Sequence, residues 1–273
     1  MKVISVASVK GGVGKTTTIA MLGHYAAEHG LRTLLIDADV QASLTVSFFD
    51  DIDEIENHDT TYQLMVEDGP ITPIPIRDNL SILPADAYLS RLSESKDLKV
   101  MMCLKERIGE QFPDRYDLVL IDTPGSTSTV LASALGASNH VYSPIELQKY
   151  SVRAFKEVMD LIKSVRGSIN AGLKFEGFLP NRIRGIRTNA AGQPEPNSTK
   201  QRAVFEELQS IGPGMILGMF GLRDAIGAAE DGQSVQDARG RGSQVARNEI
   251  EAFANELLGR AGFKFEDVAE AHA

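Results

Sequence analysis

The chain has 273 residues, of which 42% are hydrophobic and 24% charged, a balance that sustains a folded core and excludes disorder over most of its length. Cys103 is the one cysteine, so an internal disulfide or a thiolate metal or iron–sulfur site within one chain is excluded, and a reducing compartment is expected. The 28 basic residues against 37 acidic ones leave a net charge of -9, which supplies no global attraction for nucleic acid and requires any such contact to come from a local patch.

The chain opens on a β-like run, Lys2 to Ser8, with no signal-peptide pattern and no apolar run near the roughly 20 residues that span a bilayer. A helical pattern follows over Thr16 to His29, then a strand at Thr33 to Asp37 and a helix at Ala42 to Phe49. Asp50 to Asp59 is acidic and reads as a loop. Leu80 to Leu83 is a strand, Leu89 to Gln111 one long helix, Leu118 to Asp122 a strand and Thr127 to Ala137 a helix. His140 to Ser143 (strand), Lys149 to Val165 (helix) and Phe175 to Leu179 (weaker strand) continue the alternation. Arg182 to Asn197 reads as an irregular loop. Ser198 and Gln201 have the spacing of a capping box at the start of a helix over Thr199 to Ser210. A weak strand at Met215 to Leu217, helices at Asp224 to Glu230 and Ser243 to Leu258, and a frayed acidic tail at Phe263 to Ala273 complete the chain. Short, nearly continuous apolar strands separated by helices predict an α/β fold, a doubly wound and mostly parallel sheet flanked by helices. One domain over residues 1–273 is the economical organisation, with 62–116 and 182–197 as variable segments.

Val9 to Thr17 reads VKGGVGKTT between a strand and a helix, the context a phosphate-binding loop requires. Gly11, Gly12 and Gly14 let the backbone, with Val13, curl around anionic oxygens at a helix N-terminus. Lys15 is placed to reach the β- and γ-phosphates, Thr16 to offer its hydroxyl to Mg²⁺ and Thr17 to bond the α-phosphate. LLIDADVQAS (34–43) ends a strand with Asp37 and Asp39 at the carboxyl edge of the sheet, where ligands of such sheets bind; Asp39 there is either catalytic or a helix N-cap. YDLVLIDTPG (116–125) is a hydrophobic strand ending in Asp122, a Mg²⁺ ligand through water, and Gly125 permits backbone movement beside the γ-phosphate.

The extra lysine, Lys10, with Val9 where the general loop has its first glycine, makes this loop similar to the K-G-G-x-G-K-[ST] of the deviant Walker A ATPases of the ParA/MinD family. The resemblance implies a P-loop NTPase fold, ATP and Mg²⁺ as ligands, and an ATP-bound homodimer in which Lys10 reaches the partner's nucleotide. It also assigns Asp39 to orienting the attacking water, although Val40 stands where the family usually has proline. DNLSILPAD (78–86) and GQSVQDAR (232–239) are similar to further family segments, and Asn181 falls where the family often has a residue near the adenine. A guanine-reading N-K-x-D segment is absent, which favours ATP. The short, ParA-type form is implied, since a loop starting at residue 9 leaves no room for an N-terminal helix-turn-helix. Its expected partners are non-specific DNA and a ParB-type centromere-binding adaptor, and its expected place is the cytoplasm, on the nucleoid.

Five basic residues between Arg182 and Arg202 face one acid, a local balance of +4. Arg182, Arg184, Arg187, Arg223, Arg239, Arg241 and Arg247 are therefore candidate DNA contacts, although solvated arginines in surface ion pairs would leave the same pattern. Two rival functions remain. A MinD-like membrane-cycling ATPase ends in a basic amphipathic helix, whereas this chain ends GFKFEDVAEAHA, so no membrane contact is expected. A metabolic ATP-dependent ligase on the same loop stays open; a nitrogenase-type reductase is disfavoured by the single cysteine.

Overall fold

A computed structural model of the chain describes residues 1–49, 55–95, 97–223, 232–235 and 242–264. Seven strands form its main sheet: β1 (Lys2–Val6), β2 (Thr33–Asp37), β3 (Ile74–Arg77), β4 (Leu80–Leu83), β5 (Leu118–Asp122), β6 (His140–Glu146) and β7 (Lys174–Asn181), in the order β3-β4-β2-β5-β1-β6-β7. All neighbours are parallel except β3 with β4. Every residue of β2 and of β5 is buried, as strands covered on both faces must be.

Helix α1 (Lys15–Glu28) and the last helix, α9 (Ser243–Arg260), cover one face of the sheet. There Ile19, Leu22, Ile250, Phe253 and Leu257 pack on Ile4, Leu35, Leu118 and Leu120. The opposite face is covered by α5 (Leu98–Gln111), α6 (Thr129–Ala137), α7 (Ser151–Ser168) and α8 (Thr199–Ile211), whose Leu104, Ile108, Val130, Phe155, Ile162 and Phe205 meet Leu34, Val119, Val141 and Phe178. Alternate residues along each strand thus feed the two cores. The strand order reverses around β1, so the loops leaving the carboxyl ends of β1, β2, β5, β6 and β7 converge on one crevice.

Four expectations are corrected. The long helix over Leu89 to Gln111 is two, α4 (Leu89–Ser93) and α5, because the Asp97 carboxylate accepts the Lys99 N–H at 2.9 Å and starts a new helix. Ser198 makes no side-chain cap; Gln201 Oε1 instead accepts the Arg184 N–H at 3.2 Å. The capping box lies at Thr60 and Gln63, at the head of α3 (Thr61–Val66). Met215 to Leu217 forms one isolated bridge, Phe178 to Ile216, rather than a strand. The 182–197 loop carries an antiparallel pair, β8 (Ile186–Thr188) and β9 (Pro194–Pro196). The expected helix at Asp224 to Glu230 lies outside the described residues.

Candidate active site

The glycine loop joins β1 to α1. Gly12 and Gly14 have φ of 73° and 95°, the left-handed region open to glycine. At Gly14 a Cβ would also lie 2.1 Å from Asn181 Nδ2, so strand β7 closes that position to any side chain. Gly14 heads α1 with no side-chain cap, which leaves the first-turn N–H groups for an anion. The loop, Lys15, Thr16, Thr17 and Asp39 line a cleft of about 790 Å³ together with Pro124, Gly125, Ser126 and Arg182. Lys15 is 8% exposed, and a Cβ on Gly125 would sit 3.4 Å from its ammonium and 3.5 Å from Gly11 Cα. The 124–126 turn therefore closes over the lysine.

Asp37 and Asp122 end β2 and β5 in direct register and are fully buried. Thr16 Oγ1 donates to Asp122 Oδ2 at 2.6 Å, and the Thr123 N–H donates to its other oxygen at 3.0 Å. Burial raises the Asp122 pKa, against the lowering effects of the Thr16 bond and the Lys15 charge. Burial and then the charge of Asp122 push Asp37 up more strongly. Among the described residues no group of three or more His, Cys, Asp or Glu could cage a metal. A hydroxyl and one carboxylate beside a phosphate cradle suit a hard cation that keeps part of its water and takes further oxygens from a phosphate chain, which is the habit of Mg²⁺.

Asp37 has a structural task the sequence reading left unassigned. Its carboxylate accepts the Asp39 N–H at 3.1 Å, and the Thr45 N–H and hydroxyl, each at 2.8 Å. It thereby ties the Asp39 turn to α2 (Ser43–Phe48), whose Ser43, Val46 and Ser47 face the same cleft. The Thr45 hydroxyl accepts the Ala85 N–H at 2.9 Å as well. Thr45→Val strands that N–H and removes a donor from a buried carboxylate, so it should destabilise the protein by about 2–3 kcal/mol; a loss under about 0.5 kcal/mol in urea unfolding contradicts this anchoring. Asp39 is not the N-cap of α2, because Ala42 holds that place in a left-handed conformation without a side-chain cap bond. Its Oδ1 accepts the Gln41 N–H at 3.0 Å and it lines the cleft.

Lys10 points away from the loop's interior. Its ammonium donates to Gln148 Oε1 at 3.1 Å and stands 3.5 Å from Glu146 Oε2. Neither Glu146 nor Gln148 was singled out from the sequence. Asn181 is buried; its amide donates to the Val13 carbonyl at 2.9 Å, beneath the loop.

The arginines separate. Arg182 lines the cleft. Arg187 pairs with Glu195 at 2.6 Å and Arg223 with Glu249 at 2.6 Å, while Arg184 is exposed. Arg247 Nε reaches the Val235 carbonyl at 3.4 Å. Arg239 and Arg241 lie outside the described residues.

A family model described as an AAA domain matches residues 1–175. The chromosome partitioning protein ParA of Caulobacter vibrioides is 31% identical over 188 residues, covering 66% of this chain and 68% of that protein. The chain belongs to the ParA family of partition ATPases. Another relative is the sporulation initiation inhibitor protein Soj of Bacillus subtilis, 29% identical over 197 residues, with 69% of this chain and 75% of Soj covered. The ParA-family fold extends beyond the matched segment. A plasmid partition protein of Borrelia burgdorferi B31 bound to AMPPNP superimposes with a TM-score of 0.75 at 25% identity, over 95% of this chain and 98% of that one. The described residues after 175, which the family model leaves out, thus superimpose on the same architecture.

Proposed function

We propose that this chain is an ATP-driven switch that dimerises around ATP and Mg²⁺, binds DNA without sequence preference in that state, and positions a plasmid, chromosome or other cargo through a ParB-type adaptor. The observation that carries the reading is the division of labour between the two lysines of one loop. Lys15 is buried over the cleft, where it serves the chain's own nucleotide, and Lys10 stands outside it at half exposure, free to serve another chain. Relatives named for chromosome and plasmid partition, one of them bound to an ATP analogue, support it.

In this reading the loop N–H groups and Lys15 hold the phosphates, Thr16 and Asp122 hold the metal, and Asp39 orients a water for attack. The metal ion, when bound, neutralises charge on the phosphate oxygens as it shifts toward the leaving group. The chain's own residues supply position and electrostatic stabilisation. Loss of the terminal phosphate then releases the Asp39 and 124–126 turns, and with them the dimer and its DNA affinity. An adaptor that steadies those turns would stimulate hydrolysis.

The test is a DNA-binding titration with ADP, ATP and a non-hydrolysable analogue. Tight binding only with ATP or the analogue supports the switch, and nucleotide-independent binding contradicts it. Among the described residues no helix is long and apolar enough to cross a membrane. Liposome pelleting with ATP tests the membrane-cycling rival separately, and enrichment there would favour it. Among the described candidates Arg184 is the best-placed DNA contact, because it is exposed, whereas Arg187 and Arg223 already hold carboxylates. Arg184→Glu should weaken DNA binding several-fold and lower the slope of log affinity against log salt by about 1 or more. An unchanged slope removes Arg184 from the interface.

A further inference from the structure

Arg182 differs from every other arginine of the basic segment in what it faces. It follows Asn181, the last residue of β7, whose buried side chain is fixed at both ends: the amide donates to the Val13 carbonyl, and Oδ1 accepts the Arg182 N–H at 2.8 Å. It precedes Ile183, which is fully buried and donates its N–H to the Phe220 carbonyl at 3.0 Å. Between these two fixed points Arg182 has a φ of 57°, a left-handed conformation that a long side chain rarely adopts and that persists only where the surroundings impose it. The turn carries the side chain back across the phosphate loop. There Nη1 donates to the Gly12 carbonyl at 3.0 Å and stands 3.5 Å from Glu146 Oε1.

Glu146 therefore faces two cations at once, Lys10 through one oxygen and Arg182 through the other, while the Gln148 amide donates to it as well. It is 14% exposed and Arg182 46%. One edge of the guanidinium is thus oriented by a loop carbonyl and a carboxylate. Nε and Nη2 make no hydrogen bond to the described residues, and Arg182 is the only arginine among the described residues that line the cleft. A fork of donors held at the lip of a phosphate cradle, with part of its edge unspent, is built for a phosphate oxygen. DNA bound on the outer surface would have to draw Arg182 away from Gly12 and Glu146.

We propose that Arg182 is a nucleotide-binding residue acting in cis: its guanidinium contacts the phosphates of the bound nucleoside di- or triphosphate, with Gly12 and Glu146 positioning it. The proposal rests on the ATPase reading and changes the role of Arg182 from a DNA contact to a ligand contact. Glu146 becomes the carboxylate that positions Arg182 at the cleft and Lys10 outside it before nucleotide arrives.

The test is equilibrium binding of Mg-ADP and a slowly hydrolysed ATP analogue to the full chain, its Arg182→Gly and Arg182→Lys variants, and Lys15→Ala as a control. Glycine adopts a φ of 57° freely, so Arg182→Gly removes the guanidinium without straining the turn. It should raise the Kd for both nucleotides about 10-fold, as expected for a charge-assisted bond, while the unfolding temperature without nucleotide stays the same or rises. Arg182→Lys should recover part of the affinity. A Kd for Arg182→Gly within about 3-fold of wild type overturns the proposal, as does a loss of DNA affinity alone. So does a Lys variant that loses as much affinity as the Gly variant and also melts lower, since that marks a purely structural turn. A wild-type chain that binds neither nucleotide, behaving like Lys15→Ala, overturns the ATPase reading itself.

Discussion

Asp39→Ala should lower ATP turnover by about 100-fold or more, the usual scale for removing a group that orients or deprotonates the nucleophile, and should leave ATP binding within a few-fold of wild type. The two effects separate because Asp39 belongs to the turn after β2, while the phosphate cradle belongs to the turn after β1. Asp39 is nevertheless held firmly. Its N–H is fixed by buried Asp37, and one carboxylate oxygen is fixed by the Gln41 N–H. The other oxygen has no hydrogen bond to the described residues and belongs to a side chain that lines the cleft. A carboxylate tethered through one oxygen with the second facing the cleft has the form of a water-orienting group. The substitution should therefore arrest the ATP-bound state, and sedimentation should show a longer-lived dimer with ATP. Phosphate release within about 3-fold of wild type would remove Asp39 from the chemistry.

How much of this could be read from the chain depended on where local pattern and tertiary context agreed. β2, β4 and β5 match their sequence readings end to end, because strands covered on both faces show as nearly continuous apolar runs. β6 was read three residues short, since Pro144 looks like a terminator. β1 pairs with β6 only as far as Tyr142 and then turns into the phosphate loop, so the proline occupies a stretch whose β1 side is free of the ladder. That shortfall hid Glu146, which faces Lys10 and Arg182. β3 was missed for a related reason: IPIR is four residues long, contains a proline and sits at the sheet edge.

The site residues divide in the same way. Lys15, Thr16 and Asp122 could be singled out because the chemistry of phosphate binding fixes their type and spacing within short motifs, whereas Lys10 and the role expected of Asp39 came from the resemblance to the ParA/MinD family. Thr45 and Glu146 could not be, because their roles arise from tertiary contacts, Thr45 of α2 with the buried end of β2 at Asp37 and Glu146 with two cations distant in sequence. Arg182 shows what charge alone leaves out. Its charge groups it with Arg184 and Arg187, whereas one left-handed residue turns its side chain to the Gly12 carbonyl and Glu146, and no charge count contains that information.

The last expected result separates the two lysines. Lys15→Ala should raise the Kd for ATP by about 1000-fold or more, since a buried ammonium in the cradle meets doubly charged phosphates with little water to screen it. Lys10→Ala should leave that Kd within a few-fold and strongly weaken the ATP-dependent dimer. In the free chain Lys10 rests on Glu146 and Gln148 with its side chain half exposed, and exposed pairs of this kind contribute about 0–1 kcal/mol. Release from this resting place therefore costs little beside a charge-assisted bond to a phosphate across an interface, of about 1.5–3 kcal/mol per lysine. A symmetric dimer forms that bond twice, and losing both would shift dimerisation by about 100-fold or more. Sedimentation velocity with Mg²⁺ and a non-hydrolysable analogue measures this directly. A Lys10→Ala chain that dimerises as wild type does would place the lysine's work within its own subunit, and the exposed half of the loop would need another explanation.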